Sequence, residues 1–114
     1  MDNVILEKSF LFAKRIVKMN RFLQKTEKEY VLTKQLLRCG TSIGANIADA
    51  QQAQSKADFT SKVNIALKET VETKYWLRLL YETEYLTTTQ FNSISPQCQE
   101  LEHLLISIVK TSKH

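Results

Sequence analysis

Residues 38–49 read Arg38-Cys39-Gly40-Thr41-Ser42-Ile43-Gly44-Ala45-Asn46-Ile47-Ala48-Asp49, RCGTSIGANIAD, and they hold both glycines of a 114-residue chain. Cys39, Ile43, Ile47 and Ala50 return every three or four residues, so the stretch reads as the middle of an amphipathic helix. Glycine in an exposed helix interior costs about 0.8–1 kcal/mol relative to alanine, so two of them need a compensating contact. Residues four apart share a helix face; Gly40, Gly44 and Ala48 therefore make one narrow strip where a neighbouring backbone can come close. Ser42, Asn46 and Asp49 lie on the other flank, spaced four and three. A buried polar group without a partner costs about 1–3 kcal/mol. Glu69 and Glu72 of another helix, and Arg38 one turn upstream, are their natural partners in a structural polar lock. A small-molecule site at Ser42, Asn46 and Glu72 is the competing reading.

The helix containing this stretch is expected from Val31 to Ala53, with Leu32 and Leu36 extending its apolar arc. Before it, Val4 to Gln24 carries two apolar lines, Leu6-Phe10-Ala13-Val17 and Phe12-Ile16-Met19-Leu23, in alternating steps of four and three. The polar segment Lys25 to Glu29 makes the turn between them. After it, Ser55 is a cap and Asp58 a first-turn acid for a third helix from Lys56 to Thr83.

That third helix shows two seams. Phe59, Val63, Ala66, Thr70, Thr73, Leu77 and Leu80 form one, facing the core. Ile65, Glu69, Glu72, Trp76 and Leu79 repeat the same steps about a third of a turn away. A second stripe holding a tryptophan predicts a subunit interface at Ile65, Trp76 and Leu79, with a wide intramolecular core face as the alternative. Tyr85 to Thr89 links to a fourth helix reaching Lys110, with Cys98, Leu101, Leu104, Leu105 and Ile108 inward. Pro96 predicts either a helix begun near Thr88 and kinked at the proline, or a new helix capped by Ser95 with the proline at its first position. One proline and two glycines leave little punctuation for a many-stranded fold. The expected architecture is all-α: a single domain over residues 1–114, an antiparallel up-down-up-down four-helix bundle, assembling as a homo-oligomer.

Charge supplies the functional signal. From Lys8 to Lys25 the chain holds Lys8, Lys14, Arg15, Lys18, Arg21 and Lys25 and no acid, and the whole chain carries a net charge of +4. Lys14, Lys18, Arg21 and Lys25 share one helix face, a basic stripe that can follow phosphates; Arg15 stands beside it. A merely solvated face is the plain alternative. Most aromatic residues fall on apolar seams, so binding by shape and backbone charge is expected rather than base-specific reading of single strands.

Catalytic and metal signatures are weak. Glu100-Leu101-Glu102-His103 contains one ExxH, where a di-metal carboxylate bundle uses two, and His114 is the remaining histidine. Cys39 and Cys98 lack CxxC spacing and fall on apolar stripes, and neither phosphate-binding glycine loop is present. The expected protein is not an enzyme and takes no cofactor. No apolar run is long enough to span a bilayer. The start, MDNVILEKSF, has an acid where a signal peptide is basic, so a cytoplasmic location is expected.

The block LLRCGTSIGANIADAQQAQSKADF, followed by IALKETVETKYWLRLLYETEYL, resembles the bacterial four-helix bundle proteins grouped as the 23S rRNA intervening-sequence protein family. The resemblance extends to EKSFLFAKRIVKMNRFL in front and ELEHLLISIVKTSK behind. Its hallmark is borne by Ser42, Ile43, Asn46, Ile47 and Ala48, with Asp49 where glutamate is common and Ala50 where many members have glycine; Glu72 matches the glutamate of the third helix. The resemblance implies a ring-shaped homopentamer encoded in some bacteria within a ribosomal RNA insertion. It also implies kinship with a basic accessory subunit of retroelement reverse transcriptases, making RNA and a reverse transcriptase the expected partners.

Overall fold

The computed structural model describes residues 3–112. They form α1 (Asn3–Glu27), α2 (Val31–Ala50), α3 (Lys56–Glu82) and α4 (Thr88–Ser112), and no strand occurs among the described residues. Local chemistry sets the boundaries. Lys28 and Glu84 take positive φ angles of 55° and 71°, turning the chain after α1 and α3. The Glu29 carboxylate accepts from the amides of Val31, Leu32 and Thr33 at 3.2, 3.0 and 2.9 Å, satisfying donors that a helix start leaves open. Burial pushes the Glu29 carboxyl up, but those amides together outweigh it and hold it below the usual carboxylate range. Ser55 caps α3 as expected, accepting from Asp58 N at 3.0 Å. Thr87 and Gln90 exchange side-chain and backbone bonds of 3.1 and 2.9 Å at the head of α4, a capping box.

One expected boundary moves, and one open choice is decided. α2 ends at Ala50 rather than Ala53, in a turn where Gln52 N donates to Asp49 O at 3.0 Å. Of the two readings of the fourth helix, the start near Thr88 holds and the restart at Ser95 does not: α4 begins at Thr88 and runs through Pro96. Proline removes the amide that would serve the Asn92 carbonyl. Pro96 and Asn92 are exposed, and the neighbouring Ser93 is held by Arg15 of α1, which donates to its carbonyl at 3.0 Å and to its hydroxyl at 2.8 Å.

α1 packs on α2, α2 on α3, α3 on α4 and α4 on α1, giving a body of 45 × 20 × 19 Å. The core is a continuous apolar cluster that includes Phe12, Ile16 and Leu23 of α1, Leu36, Ile43 and Ile47 of α2, Val63, Leu77 and Leu80 of α3, and Ile94, Leu101 and Leu105 of α4. Leu86, expected in a polar linker, is buried and closes one end. Phe10 corrects the first-helix reading. It is 63% exposed, because Ser9 takes the inward register and satisfies its own hydroxyl on the Leu6 carbonyl at 3.0 Å.

The glycine strip does what its spacing predicts. A Cβ on Gly40 would stand 2.9 Å from Ile16 Cγ1 and Cγ2, and one on Gly44 would stand 3.3 Å from the Ser9 carbonyl oxygen. Ala48 does not continue the strip; it is exposed.

Asn20 is 3% exposed and its Oδ1 has no hydrogen-bond partner. An orphaned buried acceptor costs about 1–3 kcal/mol. Asn20→Leu, of similar volume, is expected to raise the unfolding free energy by about 1 kcal/mol, read as a higher urea midpoint at unchanged slope. A lower midpoint would mean that this side chain has a partner in solution.

Candidate nucleic-acid interface

The basic stripe emerges on the outer face of α1. Lys14, Lys18, Arg21 and Lys25 are exposed, and none enters an ion pair among the described residues. No carboxylate of the described residues lies within ion-pair distance of these four cations. The other two cations of the run are engaged across the surface between α1 and α4: Lys8 pairs with Glu100 at 3.1 Å, and Arg15 holds Ser93. Arg15 is half-buried, so one of the five residues expected to meet nucleic acid also ties α1 to α4.

Two aromatic groups stand beside this stripe, one of them, Phe10, expected on an apolar seam. Phe10 and Phe22 are 63% and 48% exposed, and Lys14 Nζ sits 5.9 Å from the centre of the Phe10 ring, a cation–π contact. The expectation that exposed aromatics are scarce does not hold, since Tyr30 and Tyr75 are also exposed. The signal that finds Phe10 is Ser9, whose hydroxyl can bond within its own helix and so accept burial.

The residues expected in the polar lock divide into two sets. Arg38 reaches from α2 to α3 and pairs with Glu69 at 3.1 Å and with Glu72. The Glu72 Oε1 that takes Arg38 also accepts from Trp76 Nε1 at 3.3 Å. The Arg38 bond holds the Glu72 carboxyl below its ordinary range against the effect of burial, and the indole N–H adds to it; Glu72 in turn raises the Arg38 guanidinium. Arg38 is 49% exposed, and a pair so open to solvent contributes at most about 1 kcal/mol. Ser42 and Asn46 are not joined to α3: Ser42 Oγ donates to the Arg38 carbonyl at 2.6 Å and Asn46 Nδ2 to the Ser42 carbonyl at 2.9 Å. Asp49 is exposed and has no side-chain partner among the described residues. On the outer side of α3, Ile65 is 39% exposed, while Trp76 and Leu79 are half-buried and Trp76 packs against the core cluster. Tyr75 meets the Trp76 ring edge-on at 5.1 Å.

The cysteines are thiols in the core. Burial pushes the Cys98 thiol up to about 12 and raises Cys39 as well, so neither supplies a thiolate near neutral pH. Among the described residues no group of three or more His, Cys, Asp or Glu is placed to hold a metal ion, and Glu100 of the ExxH is engaged by Lys8. His114 lies outside the described residues. No described helix is long and apolar enough to cross a membrane.

The chain matches the family model described as 23S rRNA-intervening sequence protein over residues 1–107. It is also similar to a protein of unknown function from the S23 ribosomal protein family of Bacteroides thetaiotaomicron, known from a crystal structure. The two are 57% identical, with a TM-score of 0.92, over 94% of this chain and 99% of that one. No curated protein matches the chain. A family model spanning α1, α2, α3 and most of α4, joined to that likeness in fold and sequence, means that the chain belongs to the 23S rRNA-intervening sequence protein family.

Proposed function

We propose that the protein is a non-enzymatic, cytoplasmic homo-oligomer that binds structured RNA through the outer face of α1. The observation that carries this reading is the row Lys14, Lys18, Arg21 and Lys25, exposed and without an ion pair among the described residues, in an acid-free run. Repetition around a ring multiplies the field of each copy, which favours a polyanion over a small ligand. The family's tie to ribosomal RNA insertions points the same way, and a reverse transcriptase bound to RNA is a compatible partner.

The ring reading, with five copies, rests on the outer side of α3. Ile65 and Tyr75 expose apolar surface beside the half-buried Trp76 and Leu79. An up-down-up-down order is supported by paired contacts. Lys8 meets Glu100 while Arg15 meets Ser93, and Gln24 meets Thr33 while Gly44 meets Ser9, so one helix of each pair ascends as the other descends. The same exposed side of α3 favours a second reading, a protein-interaction scaffold with no nucleic-acid ligand.

Titration against a labelled RNA hairpin, with absolute mass measured by light scattering, separates these readings. Neutralising three phosphates should weaken binding roughly twenty- to fortyfold between ~50 and ~200 mM salt. Lys14→Glu/Lys18→Glu/Arg21→Glu should flatten that dependence without changing the mass. Absence of binding at low salt would leave the scaffold, and a monomeric mass would remove the ring.

A further inference from the structure

A groove of about 240 Å³ opens between α1 and α4, lined by Arg15, Lys18, Met19, Phe22, Gln90 and Ile94. It lies below the roughly 300–1,000 Å³ of pockets for drug-sized ligands, a size suited to one ring system rather than a large molecule. Its lining combines a half-exposed phenyl ring, two apolar side chains, an amide and two cations. A larger hollow of about 470 Å³ near Phe59 and Ile108 has no charged lining residue, so it lacks anything to attract an anion.

Several features prepare the smaller groove for a base. Lys18 belongs to the unpaired stripe, one helical turn before Phe22. Arg15 is fixed by its two bonds to Ser93, which holds one wall in place. Gln90 is fixed by the capping box through Oε1, while its Nε2 hydrogens have no partner among the described residues. An amide donor held in place beside an exposed aromatic ring matches what an unpaired nucleobase presents: a π face and acceptors along one edge.

Building on the RNA reading, we infer that this groove receives one unpaired nucleobase of the bound RNA. The base stacks on Phe22, Gln90 donates to its edge, and Lys18 meets the adjoining phosphate. The ligand class of the α1 face is therefore RNA with a bulged or looped nucleotide, rather than uniform duplex.

The test compares a fully paired RNA duplex with the same duplex carrying a single bulged nucleotide, and with one whose bulge is abasic, at one salt concentration. The bulged RNA should bind about tenfold tighter than the duplex, and the abasic bulge should bind like the duplex. Phe22→Ala should abolish the preference, whereas Phe22→Tyr, which keeps the ring, should retain it. Equal binding of bulge and duplex overturns the inference while leaving RNA binding intact. So does a preference that survives either the abasic bulge or Phe22→Ala. If neither RNA binds at low salt, the underlying reading falls too; binding to phosphatidylserine vesicles in that case would assign the face to an anionic lipid surface.

Discussion

Gly44→Leu is expected to lower the free energy of unfolding by more than about 4 kcal/mol, at the extreme end for one substitution. The added Cβ would stand 3.3 Å from the Ser9 carbonyl oxygen and 3.4 Å from its carbon. Those are backbone atoms in the middle of α1, which cannot rotate away as a side chain can. The remaining leucine carbons would have to force the two helices apart, loosening the core that Ile43 and Ile47 make with Phe12 and Ile16. Ala48→Leu, one turn further along and exposed, is the control and should change stability by no more than about 0.5 kcal/mol. Urea unfolding followed by helical circular dichroism reads both. Equal midpoints for the two variants would mean that α1 and α2 are not held in close contact at Gly44.

At Gly40 the obstacle is a side chain, so the second large effect is a coupling. Ile16→Ala alone should cost about 2–5 kcal/mol, since Ile16 is fully buried and its removal leaves a cavity. Gly40→Ala alone should cost about 1–3 kcal/mol, because the new methyl meets Ile16 Cγ1 and Cγ2 at 2.9 Å. Together they should cost less than their sum by about 1 kcal/mol or more, the methyl at position 40 entering space the isoleucine has left. Ile16→Val keeps both Cγ atoms and should give Gly40→Ala no relief. Additivity within about 0.5 kcal/mol would separate the two residues energetically and refute the contact.

The parts of this architecture legible in the sequence are those where one periodicity has one physical cause. Val63, Ala66, Thr70, Thr73, Leu77 and Leu80 all face inward, because a core seam selects residues in steps of four and three. The paired glycines were readable as a close approach because their cost demands one. Arg38 with Glu69 and Glu72 was readable because a long cation one turn from the polar flank reaches the neighbouring helix.

Other features depend on choices that spacing leaves open. SFLFA offers two registers for α1, and Ser9 enters the core in place of Phe10 because a hydroxyl can bond the carbonyl three residues back. Ser42 and Asn46 took the same local option and thereby left the clasp to Arg38. Pro96 reads as a break, yet α4 persists through it, with the carbonyl next to the missing bond held by a cation from another helix. Arg15 and Ser93 are 78 residues apart, and no local pattern announces such a partnership.

Trp76 is the sole tryptophan of the chain, and its indole shares a carboxylate oxygen with the guanidinium that joins α2 to α3. Its emission therefore comes from a single address. The protein carries an intrinsic optical reporter set where two helices meet, at the Arg38–Glu72 contact of α2 with α3. Unfolding, and any event that disturbs that contact, can be followed by light alone, without attaching a dye.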